Sequence, residues 1–282
     1  MEMLQTAGLK LPRMGLGTWY LGESVRKENA ELEALRTGIE LGITLFDTAE
    51  MYGDGGAERL LGKAIKPYDR SKLQIVSKVY PHNAGRNHIF QSCENSLRRL
   101  GTDYLDVYLL HWRGSVPLAE TVDCMEELKA QGKIRAWGVS NLDTDDMDEL
   151  EAVRNGGNCA LDQVLYHLGS RGIEYDLLPW TQQRGMPVMT YCPLAQGGRL
   201  RRGLLGSSAV KKTAGKYQAT PIQILLAFVL YQDNTIAIPR SGSAAHVREL
   251  VDSLRVTLTA EDIALLSKDF PAPTRKTYLD IV

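Results

Sequence analysis

Cysteine is scarce: Cys93, Cys124, Cys159 and Cys192 are scattered through 282 residues with no C-x-x-C pair. That is too sparse for a disulfide scaffold and fits reduced thiols in a cytoplasmic protein. Long apolar runs are also missing. The longest, Ile222 to Tyr231, has Gln223 inside it and falls well short of the roughly 20 residues that span a bilayer. Met1 to Pro12 has no basic start followed by an apolar stretch, so no secretory signal is expected. Neither sign of charge dominates: 33 Lys and Arg against 34 Asp and Glu leave a formal charge of -1, which gives no pull toward nucleic acid or acidic membranes. The five histidines are dispersed, and His82 and His88 do not have H-x₃-H spacing, so no metal site is expected. Finally, no G-x-G-x-x-G follows any strand-like run, which disfavours a doubly wound dinucleotide-binding sheet.

What is present is an alternation of short apolar runs with helical spacing, from end to end. Strands are expected at Met14–Thr18, Ile43–Asp47, Leu73–Lys78, Leu105–His111, Ile134–Ser140, Leu161–Tyr166, Val188–Tyr191 and Thr235–Pro239. Most are continuous rather than alternating, as parallel strands covered on both faces should be. Between them, Leu32, Leu35 and Ile39 recur at helical intervals, as do Ile89, Cys93, Leu97 and Leu100. Gly42, Gly132 and Gly185 stand where a helix would end in a left-handed residue. Eight βα pairs over this length point to an α/β protein, a (β/α)₈ barrel occupying residues 1–282 as one domain. A hairpin over Leu4 to Pro12 around Ala7-Gly8 would close the bottom. Ala195 to Gly215 reads as a Gly-, Arg- and Ser-rich insert after the seventh strand, and Leu258 to Ser267 as an extra C-terminal helix.

Barrels of this kind build their sites at the C-terminal ends of the strands. There the chain places Thr18 and Trp19, Asp47 with Tyr52, Lys78, His111 with Trp112, Ser140 with Asn141, Gln163, Tyr191, and Arg240 with Ser241. Each alone has an ordinary reading: Tyr52 as packing, Lys78 as a solvated end, His111 as a core histidine, Asp47 as a helix cap. Together, Asp47, Tyr52, Lys78 and His111 can protonate a carbonyl oxygen. A phenol with a pKa near about 10 holds its proton until the oxygen gains charge. Lys78 would lower that pKa, Asp47 would keep Lys78 charged and oriented, and His111 would orient the carbonyl.

No side chain supplies a hydride, so a nicotinamide cofactor is implied. Ser140, Asn141 and Gln163 suit its carboxamide, and Tyr191 offers its ring an aromatic face. Arg240-Ser241-Gly242-Ser243 opens the last βα loop, where barrels often hold phosphate. An Arg with hydroxyls there favours NADPH over NADH. Arg199, Arg201 and Arg202 could clamp a diphosphate, although a solvated mobile loop is the better account of them. Trp19, Tyr80, His111 and Trp112 would line a small, largely apolar substrate pocket.

The motifs Gly15-Leu16-Gly17-Thr18-Trp19, Phe46-Asp47-Thr48-Ala49-Glu50-Met51-Tyr52-Gly53, Ser77-Lys78-Val79, Leu109-Leu110-His111-Trp112, Gly138-Val139-Ser140-Asn141, Tyr191-Cys192-Pro193-Leu194 and Ile238-Pro239-Arg240-Ser241 occur in that order. In this the chain resembles the aldo-keto reductase superfamily over nearly its whole length. The resemblance implies an NADPH-dependent (β/α)₈ reductase of aldehydes and ketones whose catalytic tetrad is Asp47, Tyr52, Lys78 and His111. It implies cofactor contacts from Gly17 through Trp19, from Tyr191 through Ala195 and from Ile238 through Ser243. Tyr166-His167-Leu168-Gly169-Ser170-Arg171-Gly172-Ile173-Glu174 and the short tail after Asp269 resemble the bacterial branch that reduces methylglyoxal and other 2-oxoaldehydes. There are departures: the family's usual Arg for the 2′-phosphate falls on His246 and its adenine-contacting Asn on Leu250, while Glu249 remains.

Two other readings keep the fold. One is a non-catalytic nicotinamide-binding regulatory subunit, against which the intact tetrad stands. The other is a lyase or isomerase forming a Schiff base on Lys78, for which Asp47 and Tyr52 would be superfluous. The partner expected is a small-molecule carbonyl, with no nucleic acid or membrane, and the chain a monomer or weak oligomer.

Overall fold

The computed structural model describes residues 2–282. Its strands form two sheets. The smaller is the N-terminal hairpin of β1 (Met3–Thr6) and β2 (Leu9–Pro12). Ala7 and Gly8, both at positive φ, make the tight turn that such a two-residue loop requires. The larger sheet is parallel and runs in chain order through β3 (Leu16–Gly17), β4 (Leu45–Asp47), β5 (Gln74–Val79), β6 (Leu105–Leu110), β7 (Ile134–Ser140), β8 (Asp162–Leu165), β9 (Val188–Tyr191) and β10 (Thr235–Ala237). Parallel bridges from Met14 to Ala237 and from Gly17 to Arg240 join the last strand to the first. The bond from Gly17 N to Pro239 O, 3.0 Å, completes the seam. The eight expected strands therefore close into the expected (β/α)₈ barrel.

The alternation of side chains along each strand sets what faces inward. Leu45, Val76, Val107, Leu109, Leu161, Met189, Ile236 and Ile238 fill the barrel interior, and Leu11 of the hairpin packs with them. Their neighbours Phe46, Ile75, Tyr108, Leu110, Val164 and Val188 face outward and pack in the separate outer cluster with the helices. Because both faces of the sheet are buried, the strands read as continuous apolar runs. The hairpin is tied to the bottom by the Thr6 hydroxyl, which donates to the carbonyl of Ala160.

The helical layer comprises α1 (Glu28–Glu40), α2 (Gly56–Ile65), α3 (Ile89–Leu100), α4 (Leu118–Ala130), α5 (Thr144–Ala152) and α6 (Leu177–Gln183). It continues with α7 (Gly198–Gly206), α8 (Ser208–Tyr217), α9 (Pro221–Leu230), α10 (Ala244–Asp252) and α11 (Ala260–Asp269). Gly42, Gly132 and Gly185 do take positive φ behind their helices. Thr220 and Gln223 form a reciprocal capping box at the start of α9, with Pro221 in its first turn.

Two regions differ from a plain reading of the sequence. Ala195 to Gly215 is largely helical, as α7 and most of α8, because Leu204, Ala209, Val210 and Ala214 bury one side against the outer core. The tail after α11 doubles back across the barrel. Lys276 lies within ion-pair distance of Asp143, Asp145 and Asp176, and Asp280 accepts from the Ser170 hydroxyl.

Candidate active site

The same alternation builds the site. Two residues beyond an interior side chain, six of the eight strands deliver another inward one at or just past the C-terminal end. Leu45 leads to Asp47, Val76 to Lys78, Leu109 to His111, Leu161 to Gln163, Met189 to Tyr191 and Ile238 to Arg240. They converge on a cavity of about 500 Å³ whose walls include Asp47, Tyr52, His111, Ser140, Asn141, Gln163 and Tyr191.

At its floor, Lys78 is completely buried. Its Nζ donates to Asp47 Oδ1 at 2.7 Å, to the Thr48 carbonyl at 2.8 Å and to the Tyr52 hydroxyl at 3.1 Å. Three acceptors use all three ammonium donors, which leaves no free amine for a Schiff base. Asp47 Oδ2 accepts from Gln163 Nε2 at 2.8 Å, and Thr18 donates to the Asp47 carbonyl from both its N–H and its hydroxyl. Thr18 thus braces Asp47 from behind and does not line the cavity. The Tyr52 and His111 rings meet edge to face with centroids 5.7 Å apart, so both address one space.

Burial governs the electrostatics. It raises the Asp47 pKa against the pull of Lys78 and lowers that of Lys78 against the pull of Asp47. Burial, and then the charge of Asp47, hold the Tyr52 phenol well above its ordinary range. The expected lowering of the Tyr52 pKa by Lys78 is therefore outweighed in this structure, and the phenol is firmly protonated. His111 is pushed down to about 2 by burial and by Lys78. It is a neutral imidazole with one N–H to give, and its buried Nδ1 has no hydrogen-bond partner among the described residues.

Next to these groups the lining contributed by Ser140, Asn141, Gln163 and Tyr191 is uncharged. Asn141, at φ 61°, donates to the His111 carbonyl at 3.2 Å and accepts from the Tyr191 hydroxyl at 2.8 Å. Ser140 donates to the Gln163 carbonyl at 2.8 Å. Amide and hydroxyl groups beside the half-buried Tyr191 ring match the hydrogen-bonding pattern and flat face of a nicotinamide carboxamide. Gly17, Cys192, Pro193, Leu194, Ala195, Ile238, Pro239 and Arg240 continue the same cavity. Ser241, Gly242 and Ser243 lead from it into α10, beside its wall. His246 is exposed on α10, Glu249 is tied to the Thr220 hydroxyl at 2.7 Å, and Leu250 is buried in the outer core. Among the described residues, no group of His, Cys, Asp and Glu could hold a metal ion.

Trp19 and Trp112 line the cavity. Tyr80 stands behind Trp112, edge to face at 5.8 Å. Tyr20, Met51, Arg113, Gln196, Arg201, Ile281 and Val282 also line it. Met51 lay in plain view between Asp47 and Tyr52. Ile281 and Val282 had no local signal, because it is the anchoring of Lys276 and Asp280 that brings them there.

The model of the aldo/keto reductase family matches residues 13–268. The chain is 55% identical over 282 residues to the methylglyoxal reductase YeaE of Escherichia coli (strain K12), covering 100% of this chain and 99% of that one. It is 31% identical over 317 residues to an NADH-specific methylglyoxal reductase of the same organism, covering 93% of this chain and 96% of that one. An aldo/keto reductase from Klebsiella pneumoniae, solved with NADP and acetate, superposes with a TM-score of 0.96 at 52% identity and covers 99% of each chain. With a closed parallel barrel, a buried Asp–Lys–Tyr cluster at its mouth and a family match across most of its length, this chain belongs to the aldo/keto reductase family.

Proposed function

We propose that this chain reduces small aldehydes and ketones to alcohols with NADPH, and that 2-oxoaldehydes such as methylglyoxal are its main substrates. The observation that carries the reading is the Tyr52 hydroxyl, 3.1 Å from Lys78 Nζ and facing a cavity shared with His111 and the uncharged amide wall.

Bound NADPH supplies the hydride for the carbonyl carbon. Ser140, Asn141 and Gln163 would hold its carboxamide, Tyr191 its ring, and Arg240 and Ser241 its 2′-phosphate. The rest falls to this chain's own groups. The neutral His111 donates a hydrogen bond to the carbonyl oxygen and sets its direction. Tyr52 gives that oxygen its proton, and the phenolate left behind lies against the Lys78 ammonium, where its charge is stabilised. Asp47 keeps Lys78 charged and in place. Trp19, Trp112, Met51 and Ile281 give the pocket an apolar side, which suits a short, weakly polar carbonyl compound.

The test is steady-state NADPH oxidation against 2-oxoaldehydes, aromatic aldehydes and keto sugars, with NADH in parallel. Turnover fastest with 2-oxoaldehydes and NADPH supports the reading. Cofactor binding without turnover of any carbonyl would replace it with a regulatory role.

A further inference from the structure

Arg240 is engaged on the protein itself. Its Nε donates to the Trp19 carbonyl at 2.7 Å and its Nη2 to the Tyr20 carbonyl at 3.4 Å. The guanidinium lies 5.8 Å from the centre of the Tyr20 ring. Those two carbonyls belong to the turn that leaves β3, closed by Leu21 N on the Thr18 carbonyl at 2.9 Å. Tyr20, its third residue, takes φ 62°, a left-handed conformation that an aromatic L-residue keeps only when its surroundings impose it. The Trp19 ring stacks on Tyr20 at 4.6 Å and faces the Tyr52 ring at 6.2 Å. A continuous series of contacts therefore runs from Arg240 through Tyr20 and Trp19 to the proposed proton donor.

We propose that Arg240 is a positioning residue for the carbonyl pocket: its guanidinium fork fixes the Trp19–Tyr20 turn and thereby the aromatic wall over Tyr52. The proposal rests on the carbonyl-reductase reading and extends it, because the same side chain lies at the cofactor's end of the cavity. The fork uses two of the five N–H donors of the guanidinium, so the others remain for an anion. A 2′-phosphate on those donors would hold the fork in place and tighten the wall, coupling cofactor identity to the fit of the carbonyl. A lysine has no fork and cannot serve both carbonyls with a fixed geometry.

Two measurements test this. The first uses cofactor-free protein labelled with 5-fluorotryptophan, with the Trp19 ¹⁹F resonance assigned through Trp19→Phe. Arg240→Ala should shift or broaden the Trp19 signal and leave in place those of Trp137 and Trp180, which do not line the cavity. The second is kinetic, at saturating NADPH. Arg240→Ala should raise the carbonyl KM by about tenfold, the scale of one lost charge-assisted hydrogen bond, with kcat held within about threefold. Arg240→Lys should fall between it and the parent. An unmoved Trp19 signal together with an unchanged carbonyl KM would overturn the proposal and leave Arg240 as a cofactor contact alone. If the Trp19 signal moves while the parent protein turns over no carbonyl, the positioning role stands and the reductase reading fails.

Discussion

Lys78 Nζ lies 3.1 Å from the Tyr52 hydroxyl and 2.7 Å from Asp47 Oδ1, so one buried ammonium links the phenol to the carboxylate. If Tyr52 is the proton donor, Tyr52→Phe removes the transferred proton and little else, since the ring and its contacts remain. Carbonyl reduction should fall by about 10²- to 10⁴-fold, the usual contribution of a general acid, while NADPH binding followed by fluorescence quenching stays within about twofold. Equal losses in both would make Tyr52 a cofactor contact.

The same geometry makes Lys78 costly to remove. In Lys78→Met, Asp47 keeps Gln163 but loses its charged partner. Breaking one side of a buried ion pair typically costs about 3–5 kcal/mol, so urea unfolding should show a loss of that order together with lost activity. Lys78→Met combined with Asp47→Asn should recover much of the stability and none of the activity. A single variant as stable as the parent would mean that Asp47 is already neutral in the folded chain.

His111 offers a test by absence. Held down to about 2 by burial and the neighbouring Lys78, it does not ionise across the usual assay range. The pH profile of kcat/KM between about pH 5 and 8 should therefore carry no limb of the ordinary histidine range near 6.5. A limb there that disappears in His111→Gln would show that the imidazole titrates in the working enzyme.

The barrel and the convergence of Asp47, Tyr52, Lys78 and His111 were legible because both depend on short-range rules. Apolar parity along a strand turns Leu45 and Asp47, or Val76 and Lys78, to the same side. Glycines such as Gly42 mark helix ends through the sign of φ. What was not legible depends on contacts between distant segments. Arg240 reads as an anion binder until its fork is seen on Trp19 and Tyr20, more than two hundred positions away. Ile281 reaches the pocket only because Asp280 meets Ser170. The upward pull of burial on the Tyr52 pKa is likewise reported by no motif.

If Arg240 reads the 2′-phosphate, the last βα loop sets cofactor choice. Arg240 supplies the charge there, whereas Glu249 is engaged by Thr220 and Leu250 is buried. Arg240→Ala should raise the NADPH dissociation constant by about tenfold or more, and that of NADH by less than about threefold, since only the former loses a charge-assisted phosphate contact. Equal effects measured by fluorescence titration would mean that Arg240 does not read the 2′-phosphate.

Parity also produces a liability. Asp162 precedes Gln163 on β8 and so points out of the barrel into the apolar layer, fully buried and with no ion-pair partner among the described residues. Burial holds its pKa well above the ordinary carboxylate range, opposed by the nearby Leu142 amide and reinforced by Asp143. The folded chain therefore keeps a proton that the unfolded chain releases near about pH 3.9. Above that pH the unfolded state binds fewer protons, so stability falls as pH rises, by about 1.4 kcal/mol per pH unit, until the folded group also ionises. Asp162→Asn keeps the shape of the neutral acid and removes this penalty. Its Tm should match the parent's near pH 3.5 and exceed it by a margin that widens toward pH 7. A gain equal at both pH values, or none at pH 7, would show that Asp162 carries no such penalty.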